Sequence, residues 1–174
     1  MKSKVLVISG VTASGKTTLI NQLSKLYSSS KVISFDDYDI DQLPNAPELT
    51  LPLKDAINQY DISELMRDFR KIYNNVPLIL LDFPFGYCHK VLKPYINWVV
   101  YIKTPLDVAF ARQIIRDDQN KTAAEIIAWA KIYLSKARPL YVDNQEYIAK
   151  SADLVLDGMH SLEKEISEVK QLIE

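Results

Sequence analysis

Apolar residues fall along this chain in two alternating rhythms. Short β-branched runs recur at Val5–Ile8, Lys31–Phe35, Leu78–Leu81, Trp98–Ile102 and Leu154–Leu156, and between them apolar side chains return every three or four positions. The first rhythm predicts strands and the second amphipathic helices. Leu19, Ile20, Leu23 and Leu26 mark a helix beginning near Lys16. Ile62, Leu65, Met66, Phe69, Ile72 and Tyr73 mark another, opened by the capping-box-like Asp61-Ile62-Ser63-Glu64 and ended by Asn74-Asn75-Val76-Pro77. Pro105 stands where a first helical turn accepts it, ahead of Val108, Ala109, Arg112, Ile115 and Arg116. Thr122-Ala123-Ala124-Glu125 reads as a capping box that opens a helix to about Lys136, and a last helix runs from Ser161 to about Ile173 with a solvated Glu/Lys face. Strands alternating with helices predict an α/β domain, its parallel sheet covered on both faces. Asp36–Lys54, with Pro44, Pro47 and Pro52, carries neither rhythm and reads as a long loop, of a kind often functional in compact domains. No repeat or linker divides the 174 residues, which read as one domain.

Between the first strand and the first helix lies Gly10-Val11-Thr12-Ala13-Ser14-Gly15-Lys16-Thr17-Thr18, a complete G-x-x-x-x-G-K-T phosphate loop in the strand–helix setting that the motif requires. Gly10 and Gly15 let the backbone curl so that the N–H groups along Thr12, Ala13, Ser14 and Thr18 face phosphate oxygens, and the helix adds the positive end of its dipole. In this reading Lys16 reaches the β- and γ-phosphates and the Thr17 hydroxyl sits on Mg²⁺. The chain has four glycines, and two of them are spent here.

Composition narrows the partners. Lys plus Arg total 21 and Asp plus Glu 22, a net charge of −1, which offers no global field for nucleic acid or an anionic membrane. One cysteine, Cys88, allows no internal disulfide framework and too little thiol for a structural zinc site, so a reducing cytoplasm is expected. The apolar run after Met1-Lys2-Ser3-Lys4 is too short for a signal-peptide core, and none approaches the roughly 20 residues of a membrane span. His89 and His160 stand apart from any nucleophile arrangement, and Trp98 and Trp129 read as packing.

Three further stretches carry chemistry. The second strand ends in Ile33-Ser34-Phe35-Asp36-Asp37-Tyr38-Asp39, which puts carboxylates where an open α/β sheet holds its ligand. Asp36 or Asp37 could take a proton from a substrate hydroxyl during phosphoryl transfer, with the alternative that these acids only start a loop. Tyr38 beside them is a candidate substrate contact. Asp82, after four large apolar residues, looks like a Walker B carboxylate near Mg²⁺. Arg112 and Arg116 lie four apart on one helix face, and the polar segment that follows, about 116–123, could close as a short lid bringing arginine to the transferring group. The alternative for Arg116 is an exposed salt bridge with a neighbouring acid. Arg138-Pro139 either helps bind nucleotide or only joins two helices.

Taken in order, the phosphate loop, Ser34-Phe35-Asp36-Asp37-Tyr38, Leu81-Asp82-Phe83-Pro84-Phe85-Gly86, Thr104-Pro105-Leu106 with downstream Arg112 and Arg116-Asp117, and Ala152-Asp153-Leu154-Val155-Leu156 resemble the uridine kinase-like branch of P-loop small-molecule kinases over most of the chain. The resemblance implies the three-layer P-loop NTPase fold, a five-stranded parallel sheet in the order 2-3-1-4-5, and transfer of the ATP γ-phosphate to a hydroxyl. It also implies Lys16 and Thr17 as phosphate and Mg²⁺ ligands, Asp36 as base with Asp37 the alternative, and Arg112 and Arg116 as lid arginines. Where those kinases carry Asp-x-Phe-Tyr after the second strand, this chain has Tyr38 and Asp39.

A GTP-dependent switch is the contrasting expectation. It should carry Asn-Lys-x-Asp, whose carboxylate reads guanine, yet Asn120-Lys121-Thr122-Ala123 lacks that Asp, and three residues separate Asp82 from Gly86 where a switch has two. A transferase acting on a nucleotide monophosphate, an acid or a coenzyme precursor would share the loop and differ only in acceptor. The expected function is thus an ATP- and Mg²⁺-dependent phosphotransferase with a small-molecule acceptor, whose identity and oligomeric state are left open.

Overall fold

A computed structural model describes residues 2–41, 46–47 and 51–174. Five strands, β1 (Lys4–Ser9), β2 (Lys31–Ser34), β3 (Leu78–Asp82), β4 (Trp98–Lys103) and β5 (Leu154–Asp157), form one sheet in the order β2-β3-β1-β4-β5 with every pairing parallel. This is the order that the resemblance implied. The three central strands are apolar because both their faces are covered, whereas β2 and β5, at the sheet's edges, are largely exposed.

Successive residues of β1 point to opposite faces and so supply two cores. Val5 and Val7 join Ile79, Leu81, Val99 and Tyr101 against Leu65, Met66 and Phe69 of α3 (Ser63–Ile72). Leu6 and Ile8 join Leu80, Val100 and Ile102 against Leu19, Ile20 and Leu23 of α1 (Lys16–Leu26) and Val169 of α7 (Leu162–Ile173). The remaining helices are α2 (Leu53–Ala56), α4 (Leu106–Asp117), α5 (Ala123–Ile132) and α6 (Arg138–Tyr147). No helix among the described residues is long and apolar enough to cross a membrane.

Several boundaries differ from expectation for local reasons. The Thr122 box forms in full, with Glu125 N–H donating to Thr122 Oγ1 at 3.3 Å and Thr122 N–H to Glu125 Oε2 at 2.8 Å. The Asp61 box does not: Asp61 Oδ1 accepts from Ser63 N–H at 2.9 Å, and Glu64 turns to Arg67 at 3.5 Å. The helix expected to end near Lys136 continues through a π-helical turn, Tyr133–Ala137, into α6. Leu26 is exposed because the chain leaves α1 at Tyr27. Within the stretch read as a loop over Asp36–Lys54, a 3₁₀ turn spans Phe35–Asp37 and α2 begins at Leu53. Pro44 lies outside the described residues.

His89 illustrates the cost of burial. Its Nε2–H donates to the Tyr60 carbonyl at 3.2 Å, while Nδ1 is buried with no hydrogen-bond partner among the described residues. Burial lowers its pKa from the ordinary value, with the Lys90 charge acting in the same direction and the bond to Tyr60 opposing. The unfolded chain therefore binds this proton at higher pH than the folded one, and its contribution to stability is complete above about pH 6.5 and lost as pH falls below that value. Melting curves between pH 7.5 and 5.5 should show a steeper loss of Tm for the wild type than for His89→Gln; parallel curves would contradict the assignment.

Candidate active site

Because all five strands run the same way, the residues that follow them gather at one edge of the sheet. There the phosphate loop, the ends of β2, β3 and β5, and faces of α2, α4, α6 and α7 line a cleft of about 550 Å³. The loop is held in shape by its surroundings. Gly10, at φ 151, has a backbone conformation that side chains rarely adopt, and a Cβ there would stand 2.5 Å from Ser14 Oγ and 2.9 Å from the Ile102 carbonyl. Ala13 occupies the left-handed region at φ 59, local strain of the sort that gathers at functional sites. Ser14 N–H donates to the Val11 carbonyl at 3.2 Å, and the Ser14 carbonyl accepts from the buried Thr104 hydroxyl at 2.9 Å. Lys16 Nζ donates to the Val11 carbonyl at 3.1 Å, which folds the ammonium back over the loop it would serve.

Thr104 is itself set by a glycine. A Cβ on Gly158 would collide with Thr104 Oγ1 and lie 3.0 Å from Thr104 Cβ. Gly158→Ala should therefore displace the hydroxyl that holds the loop, with an overpacking cost of about 1–3 kcal/mol. The expected result is a lower Tm together with weakened triphosphate binding; an unchanged Tm and affinity would show that the loop does not depend on this contact.

Thr17 and Asp82 meet across the cleft floor, Thr17 Oγ1 donating to Asp82 Oδ2 at 3.2 Å. Asp82 is 4% exposed. Burial pushes its carboxyl above the ordinary carboxylate range, the nearby Asp36 and Asp37 charges add to that, and the Lys16 ammonium and the Thr17 hydrogen bond oppose it. Such a carboxylate stores unfavourable charge that a cation would relieve. Among the described residues no three His, Cys, Asp or Glu side chains could hold a metal by themselves. One hydroxyl and one carboxylate fit Mg²⁺, which keeps several waters and takes further ligands from substrate phosphates.

The two candidate bases lie side by side in the 3₁₀ turn Phe35–Asp37. Both are exposed, but Asp36 lines the cleft and Asp37 does not. Tyr38 points away, its hydroxyl 3.3 Å from Asp68 Oδ2. Beside Asp36 the wall is aromatic and apolar: Phe35, Tyr60 and Phe85 touch one another with centroids 4.8–6.2 Å apart, and Leu53 and Ala56 of α2 complete it. Asp41 joins the same wall, its carboxyl pushed up by burial and by the Asp36 and Asp39 charges.

Arg112 and Arg116 both line the cleft from α4. Arg112 reaches the Gly158 carbonyl at 3.4 and 3.5 Å, and Arg116 makes a two-pronged pair with Asp117 at 2.6 and 2.8 Å. The salt bridge weighed for Arg116 is thus present, on a side chain that also faces the cleft. Arg138 is exposed and off the cleft, in the first turn of α6. Sequence reasoning missed α6, which contributes Leu140, Tyr141 and Asn144 to the wall. Asn144 is fixed by Tyr101, whose hydroxyl donates to Asn144 Oδ1 at 2.7 Å, and donates through Nδ2 to the Pro84 carbonyl at 3.3 Å. His160, which stands apart from any nucleophile arrangement in the sequence, also lines the cleft and sits 3.7 Å from Asp157 and 3.8 Å from Glu168.

No family model matches the chain. It is 24% identical to a uridine kinase of Borrelia duttonii over 188 residues, covering 91% of this chain and 88% of the relative, and 23% identical to a uridine kinase of Staphylococcus aureus over 189 residues, covering 90% and 88%. Thymidylate kinase from Candida albicans superposes with TM-score 0.61 at 14% identity, covering 99% of this chain and 91% of that one. Shikimate kinase from Bacteroides thetaiotaomicron superposes with TM-score 0.54 at 17% identity, covering 98% of each. The parallel order 2-3-1-4-5, the loop after its central strand and these neighbours establish an α/β P-loop fold, one that solved kinases also adopt.

Proposed function

We propose that this protein is an ATP- and Mg²⁺-dependent small-molecule kinase that transfers the γ-phosphate to a hydroxyl, with a nucleoside the first acceptor class to try. The observation that carries this reading is the convergence of Lys16, the Thr17–Asp82 pair and Asp36 on one cleft at the carboxyl edge of the sheet. The uridine kinase relatives support the acceptor class, and so does the aromatic wall of Phe35, Tyr60 and Phe85, whose edge-to-face rings offer an apolar surface to a base. Mg²⁺, held by Thr17 with Asp82 behind it, would supply charge neutralisation at the phosphates.

The chain's own residues account for the rest. The loop N–H groups and the N-terminus of α1 bind phosphate oxygens, and the Lys16 ammonium exchanges the Val11 carbonyl for them. Asp36 orients the acceptor hydroxyl and takes its proton as the hydroxyl oxygen bonds to phosphorus and the bond to the β-phosphate oxygen breaks, releasing ADP. Arg116, released from Asp117, would meet charge on the transferring oxygens, and Arg112 would hold the nucleotide. The segment at about 116–123 is the part proposed to close as a lid.

The test is ADP formation from Mg²⁺-ATP with a panel of nucleosides, nucleotide monophosphates, sugars and coenzyme precursors, read by coupled assay and product mass. ADP that appears only with one acceptor class, together with its phosphorylated product, is the expected result. ADP released equally with and without every acceptor would replace the kinase with an ATPase.

A further inference from the structure

Two carboxylates that line the cleft are buried, Asp82 and Glu165, and the proposed transfer uses only the first. Glu165 is 7% exposed and lies on α7, one turn in from Ser161. It faces the cleft beside Gly158, His160 and Leu162. Sheet order puts it at the far end from Asp36: Asp36 follows β2 at one edge, Gly158 follows β5 at the other, and the phosphate loop follows the central β1 between them. A triphosphate on the loop with its γ-phosphate toward Asp36 therefore extends its remainder toward Glu165.

The carboxylate makes no hydrogen bond with any described residue. Arg112, its neighbour of opposite charge among the described residues, is held by the Gly158 carbonyl, and the acidic Asp157 and Glu168 near it are engaged with His160. Most of the side chain is buried, and its carboxylate faces the open cleft, where a ligand that fills the cleft can replace water with a donor of its own. Leu162 beside it offers an apolar surface suited to a flat ring.

We propose that Glu165 reads the base of the donor nucleotide, its carboxylate accepting an N–H of the exocyclic amino group, so that the cleft selects adenine over the same purine lacking that group. The inference rests on the phosphotransferase reading above and goes beyond it by naming the residue that chooses the donor. Glu165 is a specificity residue and takes no part in bond making.

Calorimetric titration without acceptor tests it, using Mg²⁺-ATP and the 5′-triphosphate of purine riboside, which has hydrogen in place of the 6-amino group. The wild type should bind ATP about tenfold or more tightly than the analogue, the worth of a hydrogen bond to a charged group. Glu165→Leu should bring ATP down to the level of the analogue and leave the analogue unchanged. Glu165→Gln, which preserves shape and an acceptor oxygen, should keep a reduced preference and a wild-type melting curve. Equal binding of both nucleotides by the wild type would overturn the inference and leave the kinase reading standing. Equal weakening of both nucleotides in the Gln variant would also overturn it, assigning Glu165 to the support of Arg112. Binding of neither nucleotide by the wild type would remove the nucleotide reading itself, and the inference with it.

Discussion

Lys16→Ala is expected to reduce turnover by about 10³-fold or more while leaving the far-UV spectrum and Tm close to wild type, because one preorganised charge on a transferring phosphoryl group contributes at least as much as a single oxyanion donor. The side chain is well suited to a clean result. Its only hydrogen bond among the described residues is to the Val11 carbonyl, on a cleft wall open to solvent, so the loop loses little when it is cut back. Its charge also lowers the pKa of Asp82. Removing it should therefore push the Asp82 carboxyl further up and raise the Mg²⁺ concentration needed for nucleotide binding. Retained turnover would take the phosphate loop out of the mechanism.

The second large effect is expected at Asp36. Asp36→Asn should lower kcat by about 10²–10⁴-fold, the range for a lost general base, with little change in nucleotide affinity. Asp37→Asn should change kcat by less than about tenfold, since the first of these side chains lines the cleft and the second does not. Stability supplies an independent check. The Asp36 charge works against the ionised form of Asp82, so removing it should leave Tm unchanged or slightly raised. A large kcat loss in Asp37→Asn alone would exchange the two roles, and no loss in either would mean that the acceptor is activated by another group.

The fold was legible where burial imposes a rhythm. Val5–Ile8, Leu78–Leu81 and Trp98–Ile102 are covered on both faces and hence uninterrupted in sequence, so they are readable without any partner. The site was legible where chemistry demands adjacent residues, as in the phosphate loop and the end of β2. Helix α6 escaped because Arg138-Pro139 suggested a junction, while the chain passes through a π-helical turn and continues as helix. Leu140, Tyr141 and Asn144 were missed with it. Gly158, Tyr60 and Glu165 carry no local signature at all, and Thr104, though part of Thr104-Pro105-Leu106, gives no local sign that it holds the phosphate loop. Their roles depend on contacts between elements far apart in sequence, such as the Thr104 hydroxyl on the Ser14 carbonyl, 90 residues away. A buried glutamate on an apparently solvated Glu/Lys helix is hidden by its own neighbours, since only one position of that pattern turns inward to the cleft.

The central claim is that the γ-phosphate leaves ATP for a hydroxyl of a small molecule held between Asp36 and the aromatic wall. Its most direct test is to follow the label from γ-³²P-ATP with the acceptor that gives acceptor-dependent ADP. Label is expected in an acid-stable phosphate ester of the acceptor, formed one for one with ADP and absent in Asp36→Asn. Label recovered only as inorganic phosphate, at a rate indifferent to the acceptor and to Asp36, would contradict it.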